Sequence, residues 1–201
     1  MSIISEDYRK RLTEEFSGVL VNNVKLMVFT RNGDDCIYCK ETALLAEEMA
    51  ELSDKISSEI VNENDPRVSQ YGIDKYPALI ISGDGVEDGR VRYYGIPSGY
   101  EFSSLVEDIE TLSRKERNLS KPVMEKLSAV KSALKIKVFV TPTCPYCPNA
   151  VKTAHKFAMM NSNITGEMIE VREFSEERLK WLEERIDEYS KEYGKFYCFS
   201  F

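Results

Sequence analysis

Four of the five cysteines fall into two Cys-x-x-Cys pairs, Cys36-Ile-Tyr-Cys39 and Cys144-Pro-Tyr-Cys147. At the start of a helix, this spacing offers both sulfurs to unpaired backbone N–H groups and to the positive end of the helix dipole. Such surroundings lower a thiol pKa from ~8.5 to about 3.5–7.5. One thiolate can then attack a disulfide while the second thiol resolves the mixed disulfide. The same four thiols could instead form a Cys₄ zinc site or ligate an iron–sulfur cluster. Zinc-binding pairs usually lie ~15–20 residues apart, whereas 104 residues, 40–143, separate these.

The elements around each pair repeat. Val24-Lys-Leu-Met-Val-Phe-Thr30 leads through a polar loop to Cys36, and Ile136-Lys-Val-Phe-Val-Thr141 leads to Cys144, with the first cysteines 108 residues apart (144 − 36). Beyond the first pair, Leu45, Met49 and Leu52 mark a helix face. Beyond the second, Ala150, Val151, Ala154, Phe157 and Ala158 do the same. A doubled strand–CxxC–helix unit marks a thioredoxin-like redox site rather than a staple. On these motifs the chain resembles the archaeal-type protein disulfide oxidoreductases, or glutaredoxin-like proteins, which carry two thioredoxin-like units in tandem.

That resemblance implies an α/β fold of tandem thioredoxin-like units, each with a mixed central sheet flanked by helices. The first unit spans 1–117. Tyr8, Leu12 and Phe16 give its opening helix, which Gly18 helps to end; strands follow near 24–30, 56–61, 78–82 and 91–94, with a short helix at 66–73 and a closing helix from Phe102. The second unit spans 118–201, with Val123, Leu127, Val130 and Leu134 on its first helix, a strand within 164–174 and a stripe Leu179, Leu182, Ile186, Tyr189, Tyr193 on the last helix.

The resemblance further implies that Cys36, Cys39, Cys144 and Cys147 are catalytic, that no metal or organic cofactor is required, and that protein disulfides or dithiols are the substrates. A thioredoxin-reductase-like flavoprotein is the implied electron donor. The alternative to catalysis, beside the metal site, is a redox-inactive substrate-binding or chaperone-like protein. The substrate groove of such folds is bordered by a cis-proline, and Tyr76-Pro77 matches by position, X-Pro being the common place for a cis bond. Tyr38 and Tyr146, inside the two motifs, are expected at the groove rim. None of the seven prolines lies beyond Pro148, and 54 residues follow Cys147 (201 − 147), against about 75 from Cys39 to the end of the first unit. The second unit is therefore expected to lack its proline loop, hairpin and closing helix, as a truncated or frameshifted chain would. An exposed sheet edge there is expected to favour self-association.

A net charge of −7 argues against nucleic acid and anionic membranes as partners. No run approaches the ~20 apolar residues of a membrane span, no apolar leader stands at the N-terminus, and a cytoplasmic protein is expected. One glutamine, Gln70, among many Glu and Lys leans toward a thermophile. Asp34 and Asp35 precede Cys36 and should raise its pKa, making the first pair the more reducing. Pro145 should start the second helix, with Cys144 as its cap. His155 lies off the apolar stripe of its helix and reads as a solvated side chain; Cys198 reads as a small apolar residue. Val138 stands where thioredoxins place a buried acid, and the glutathione-site residues of glutaredoxins are missing.

Overall fold

The computed structural model describes residues 2–33, 36–83, 85–115 and 119–193, with side chains of the last helix as far as Arg185. The chain runs α1 (Glu6–Val19), β1 (Val24–Thr30), α2 (Cys39–Ala50), β2 (Ile56–Asn62), α3 (Pro66–Tyr71), β3 (Ala78–Gly83), β4 (Val91–Tyr94), a 3₁₀ turn (Gly99–Glu101) and α4 (Phe102–Arg114). It continues with α5 (Lys121–Ser128), β5 (Leu134–Val140), α6 (Cys147–Met160), β6 (Ile164–Glu170) and α7 (Ser175–Tyr193).

Among the described residues, six strands join one sheet in the order β2-β1-β3-β4-β6-β5. The first four make a β-α-β-α-β-β-α set closed by α4. The sheet then continues without a break, because β4 pairs in parallel with β6 from Val91 opposite Gly166 to Tyr94 opposite Ile169. Only β3 runs against the rest.

Strand periodicity divides the core into two layers. In β1, Val24, Leu26 and Val28 meet Leu45 and Met49 of α2 and Leu105, Ile109 and Leu112 of α4. Met27 and Phe29 point the other way, toward Val68 and Tyr71 of α3. In β5, Ile136, Val138 and Val140 join the first layer while Phe139 joins the second and packs on Trp181 of α7. Helices α1, α2, α4, α5 and α6 thus cover one face, and α3 and α7 the other.

Two boundaries differ from the sequence reading. Gly18 does not end α1, which runs through it to Val19. Val130 and Leu134 are not helical: α5 stops at Ser128 because the Asn161 amide takes the Leu127 and Val130 carbonyls, at 2.6 and 3.0 Å, and Asn163 also takes the latter, at 3.1 Å. These bonds satisfy carbonyls that the next turn would have used. Leu134 then opens β5 opposite Ile164. Ile186, Tyr189 and Tyr193 have side chains outside the described residues, as do Asp34, Asp35 and the segment 194–201 with Cys198.

Candidate functional site

Both cysteine pairs sit at C-terminal ends of parallel strands, at one end of the sheet, and both lead into helices on the same face. Strands β1 and β5 are four positions apart in the sheet order, so the two sites are separated by roughly 19 Å along one rim. Each pair closes a disulfide, Cys36–Cys39 and Cys144–Cys147.

The first pair is nearly covered, with Cys36 8% and Cys39 5% exposed, while Ile37 and Tyr38 between them face solvent. The Arg31 backbone N–H donates to Cys39 Sγ at 3.4 Å, and the Arg31 guanidinium lies 5.5 Å from the centre of the Tyr76 ring. The Tyr76–Pro77 turn therefore stands beside the loop that holds Cys39. Its peptide bond is cis, and the Pro77 carbonyl accepts from Gly95 N at 3.0 Å. Burial pushes the half-buried Tyr76 phenol up, and the Glu63 carboxylate adds to this.

The second pair is more open. Cys144 and Cys147 are half-buried and Tyr146 is largely exposed. Here the motif's own backbone reaches the leading sulfur, since Cys147 N donates to Cys144 Sγ at 3.2 Å. The corresponding N–H of the first pair, on Cys39, points instead to the Cys36 carbonyl at 3.5 Å. The helix itself begins at Cys147, with Pro148 rather than Pro145 in its first turn. Cys144 belongs to the preceding turn, closed by its N–H to the Thr141 carbonyl at 3.1 Å. Among the described residues, nothing in the second unit occupies the place that the Tyr76–Pro77 turn takes in the first.

His155 is fully buried, not solvated. Its Nδ1 lies 2.5 Å from Asp108 Oδ2, which also accepts from the Tyr93 hydroxyl at 2.5 Å, and its ring meets that of Tyr93 edge-on. Reading one apolar stripe on α6 presumes a single buried face. The joined sheet places α4 beside α6, which buries a second face and ties α6 to the first unit. Burial, with the Asp108 carboxylate, raises the Tyr93 phenol well above its ordinary value.

Between the two sites, at the ends of β4 and β6, lies a carboxylate pair that sequence reasoning passed over. Glu170 is buried and accepts the Glu173 N–H at 2.8 Å. Glu173 accepts from Ile96 N at 2.8 Å. Burial pushes the Glu173 carboxyl up to about 7, aided by the charges of Glu170 and of Glu41 on the first turn of α2. Arg31 was passed over too; an arginine just beyond a strand that feeds a CxxC was the available signal.

A thioredoxin-domain family model matches residues 134–180. A protein disulfide oxidoreductase from Aeropyrum pernix superposes with a TM-score of 0.77 and 31% identity, covering 86% of this chain and 77% of that one. The AhpF component of alkyl hydroperoxide reductase in Enterococcus faecalis gives 0.78 and 28%, covering 88% and 84%. Among curated proteins, the equivalent component in Staphylococcus aureus is 25% identical over 175 residues, which are 87% of this chain. The chain spans about a third (32%) of that relative's length.

Proposed function

The chain belongs to the protein disulfide oxidoreductase family, and from that premise we propose that it exchanges disulfides with protein substrates through Cys36/Cys39 and Cys144/Cys147. The observation that carries this reading is the placement of two CxxC disulfides at helix starts on one rim and one face of a single sheet. In the reductive direction, the leading thiolate, Cys36 or Cys144, attacks a substrate disulfide and expels one substrate thiolate. The resolving cysteine, Cys39 or Cys147, then attacks the mixed disulfide and releases the second. Two electrons pass to the substrate, and the enzyme is left in the oxidised form described above.

In this reading the Tyr76–Pro77 turn and Tyr38 border the groove at the first site, and Tyr146 forms the exposed rim of the second. Reducing equivalents come from a thioredoxin-reductase-like flavoprotein, in the cytosol, where dithiols are kept reduced. Thiol-driven insulin reduction tests the proposal. The wild-type chain is expected to accelerate turbidity, and the double variant Cys36→Ser, Cys144→Ser to fall to the uncatalysed rate. A double variant as active as wild type would overturn it.

The match over 175 residues to a component of alkyl hydroperoxide reductase favours a second reading of the acceptor. There the dithiols pass electrons to the disulfide of a peroxide-reducing partner protein. Purified partner, reduced faster than insulin at equal concentration, would favour that reading.

A further inference from the structure

The loop that carries the second pair is held from outside its own unit. Only Thr141, Pro142 and Thr143 lie between β5 and Cys144. The Pro142 carbonyl accepts from Tyr100 N at 3.1 Å, in the 3₁₀ turn that opens α4 of the first unit. Gly99, beside it, has φ +60, and a Cβ there would overlap the Pro142 carbonyl oxygen and lie 3.1 Å from Pro142 Cβ. Further back on the same segment, Ile96 N is bonded to Glu173, and a Cβ on Gly95 would press against Glu170 and Glu173. The stretch 95–101 thus grips the second unit both at the end of β6 and at the loop before Cys144. The first redox loop has a different support: its Asn32 N–H is held at 3.1 Å by Glu63 of the same unit.

This grip bears on sulfur chemistry. The bond from Cys147 N to Cys144 Sγ depends on where Cys144 sits relative to the first turn of α6. With three residues between strand and cysteine, a displacement of Pro142 has little chain in which to dissipate. A hydrogen bond to a charged acceptor is stronger than one to the neutral group, so this bond governs how much of Cys144 is thiolate at neutral pH.

We propose that Gly99 and the Tyr100 backbone N–H are positioning groups for the second dithiol, so that the first unit sets the thiolate stability of Cys144. This rests on the reading of Cys144/Cys147 as an exchange site. The test uses the full chain with Cys36→Ser and Cys39→Ser, so that only the second pair reports, and compares Gly99, Gly99→Ala and Gly99→Asn. Asparagine tolerates the left-handed backbone yet carries the Cβ, which separates contact with Pro142 from strain at residue 99. Both substitutions are expected to lower the thiolate-to-thiol ratio of Cys144 at neutral pH about tenfold, read by ultraviolet thiolate absorbance against pH. They should also shift the equilibrium with glutathione toward the disulfide about tenfold, which is about 30 mV lower in potential.

In the complementary background, Cys144→Ser and Cys147→Ser, the same substitutions should leave the titration of the first pair in place. An unmoved Cys144 titration in both variants would overturn the proposal, as would equal shifts at both pairs. Insulin turnover is measured separately, in the chain with both cysteine pairs intact: a Cys144 titration shift alongside an intact chain that never turns insulin over defeats the catalytic reading alone.

Discussion

Strands β1 and β5 begin the two units in the same way, yet they stand in different surroundings. Each pairs in parallel with the strand two elements later, Val24 opposite Ile56 and Leu134 opposite Ile164. β1 has β3 on its other side, and every inward residue is buried. β5 ends the sheet order, and of its inward residues Val140 is buried while Ile136 and Val138 are only half-buried. The dithiols differ accordingly. Cys36 and Cys39 are covered and flanked by the Tyr76–Pro77 turn, whereas Cys144 and Cys147 are open, with a backbone N–H on the leading sulfur. One local pattern, a strand running into CxxC, thus yields a supported but covered site and an accessible, locally stabilised one. The lesson is that the motif fixes the sulfur chemistry available, while the neighbouring strands decide how the site is approached.

The largest difference between the units should appear in thiol reactivity. In the reduced protein, Cys144 is expected to be alkylated by iodoacetamide on the order of ten times faster than Cys36 at neutral pH, from its hydrogen-bonded sulfur and greater exposure. Peptide mapping after timed quenching reads this directly; Cys36 reacting first would break the comparison.

A smaller difference is expected in stability. Leu26 and Ile136 hold the third position of β1 and β5, and Leu26 is fully buried. Leu26→Ala should cost about 2–5 kcal/mol, and Ile136→Ala about 1 kcal/mol, because less apolar surface leaves water at the open edge. Chemical denaturation of the two variants gives both values; equal losses would mean that β5 is as enclosed in solution as β1.

The smallest effects concern pH, and they have opposite signs in the two units. Asp65 and Glu173 each stand three residues beyond the second strand of their unit. The Asp65 carboxyl is held down to about 2 by the Arg67 side chain and backbone, so its contribution is present above an ordinary Asp value and is lost as pH falls toward 2. Glu173 is raised to about 7, so the unfolded chain releases that proton first and stability falls as pH rises from ~4.5 through 7. Glu173→Gln should flatten the decline in melting temperature between pH 5 and pH 8. Asp65→Asn should leave that range unchanged and lessen the loss below pH 4. A Glu173→Gln protein with the wild-type decline would remove the carboxylate from this account.

Much of this was legible in the chain. The change from strand to helix periodicity at each CxxC located β1, α2, β5 and α6, and Pro77 announced its turn because X-Pro is where cis bonds occur. What lay beyond the sequence was long-range. Nothing in Val91-Arg-Tyr-Tyr94 says that Gly166 and Ile169 will pair beside it, and so the burial of His155 against α4 and the grip of Gly99 on Pro142 were hidden with it. The end of α5 was missed for a related reason, because the asparagines that take its carbonyls lie more than thirty residues away. The expected influence of Asp34 and Asp35 on Cys36 falls on residues outside those described, and the Arg31 contacts stand as the local electrostatics of that site.

The division of labour between the two sites is measured most directly by insulin reduction with the single variants. Protein substrates need a bordered groove on a rigid scaffold, and among the described residues only the first site has the Tyr76–Pro77 turn beside it and a strand paired on both sides. Cys36→Ser is therefore expected to remove most of the thiol-driven activity, and Cys144→Ser little of it, despite the faster alkylation of Cys144. If Cys144→Ser proves the more damaging, thiolate stability and access outweigh the groove, and the account of the first unit as the protein-directed site is contradicted.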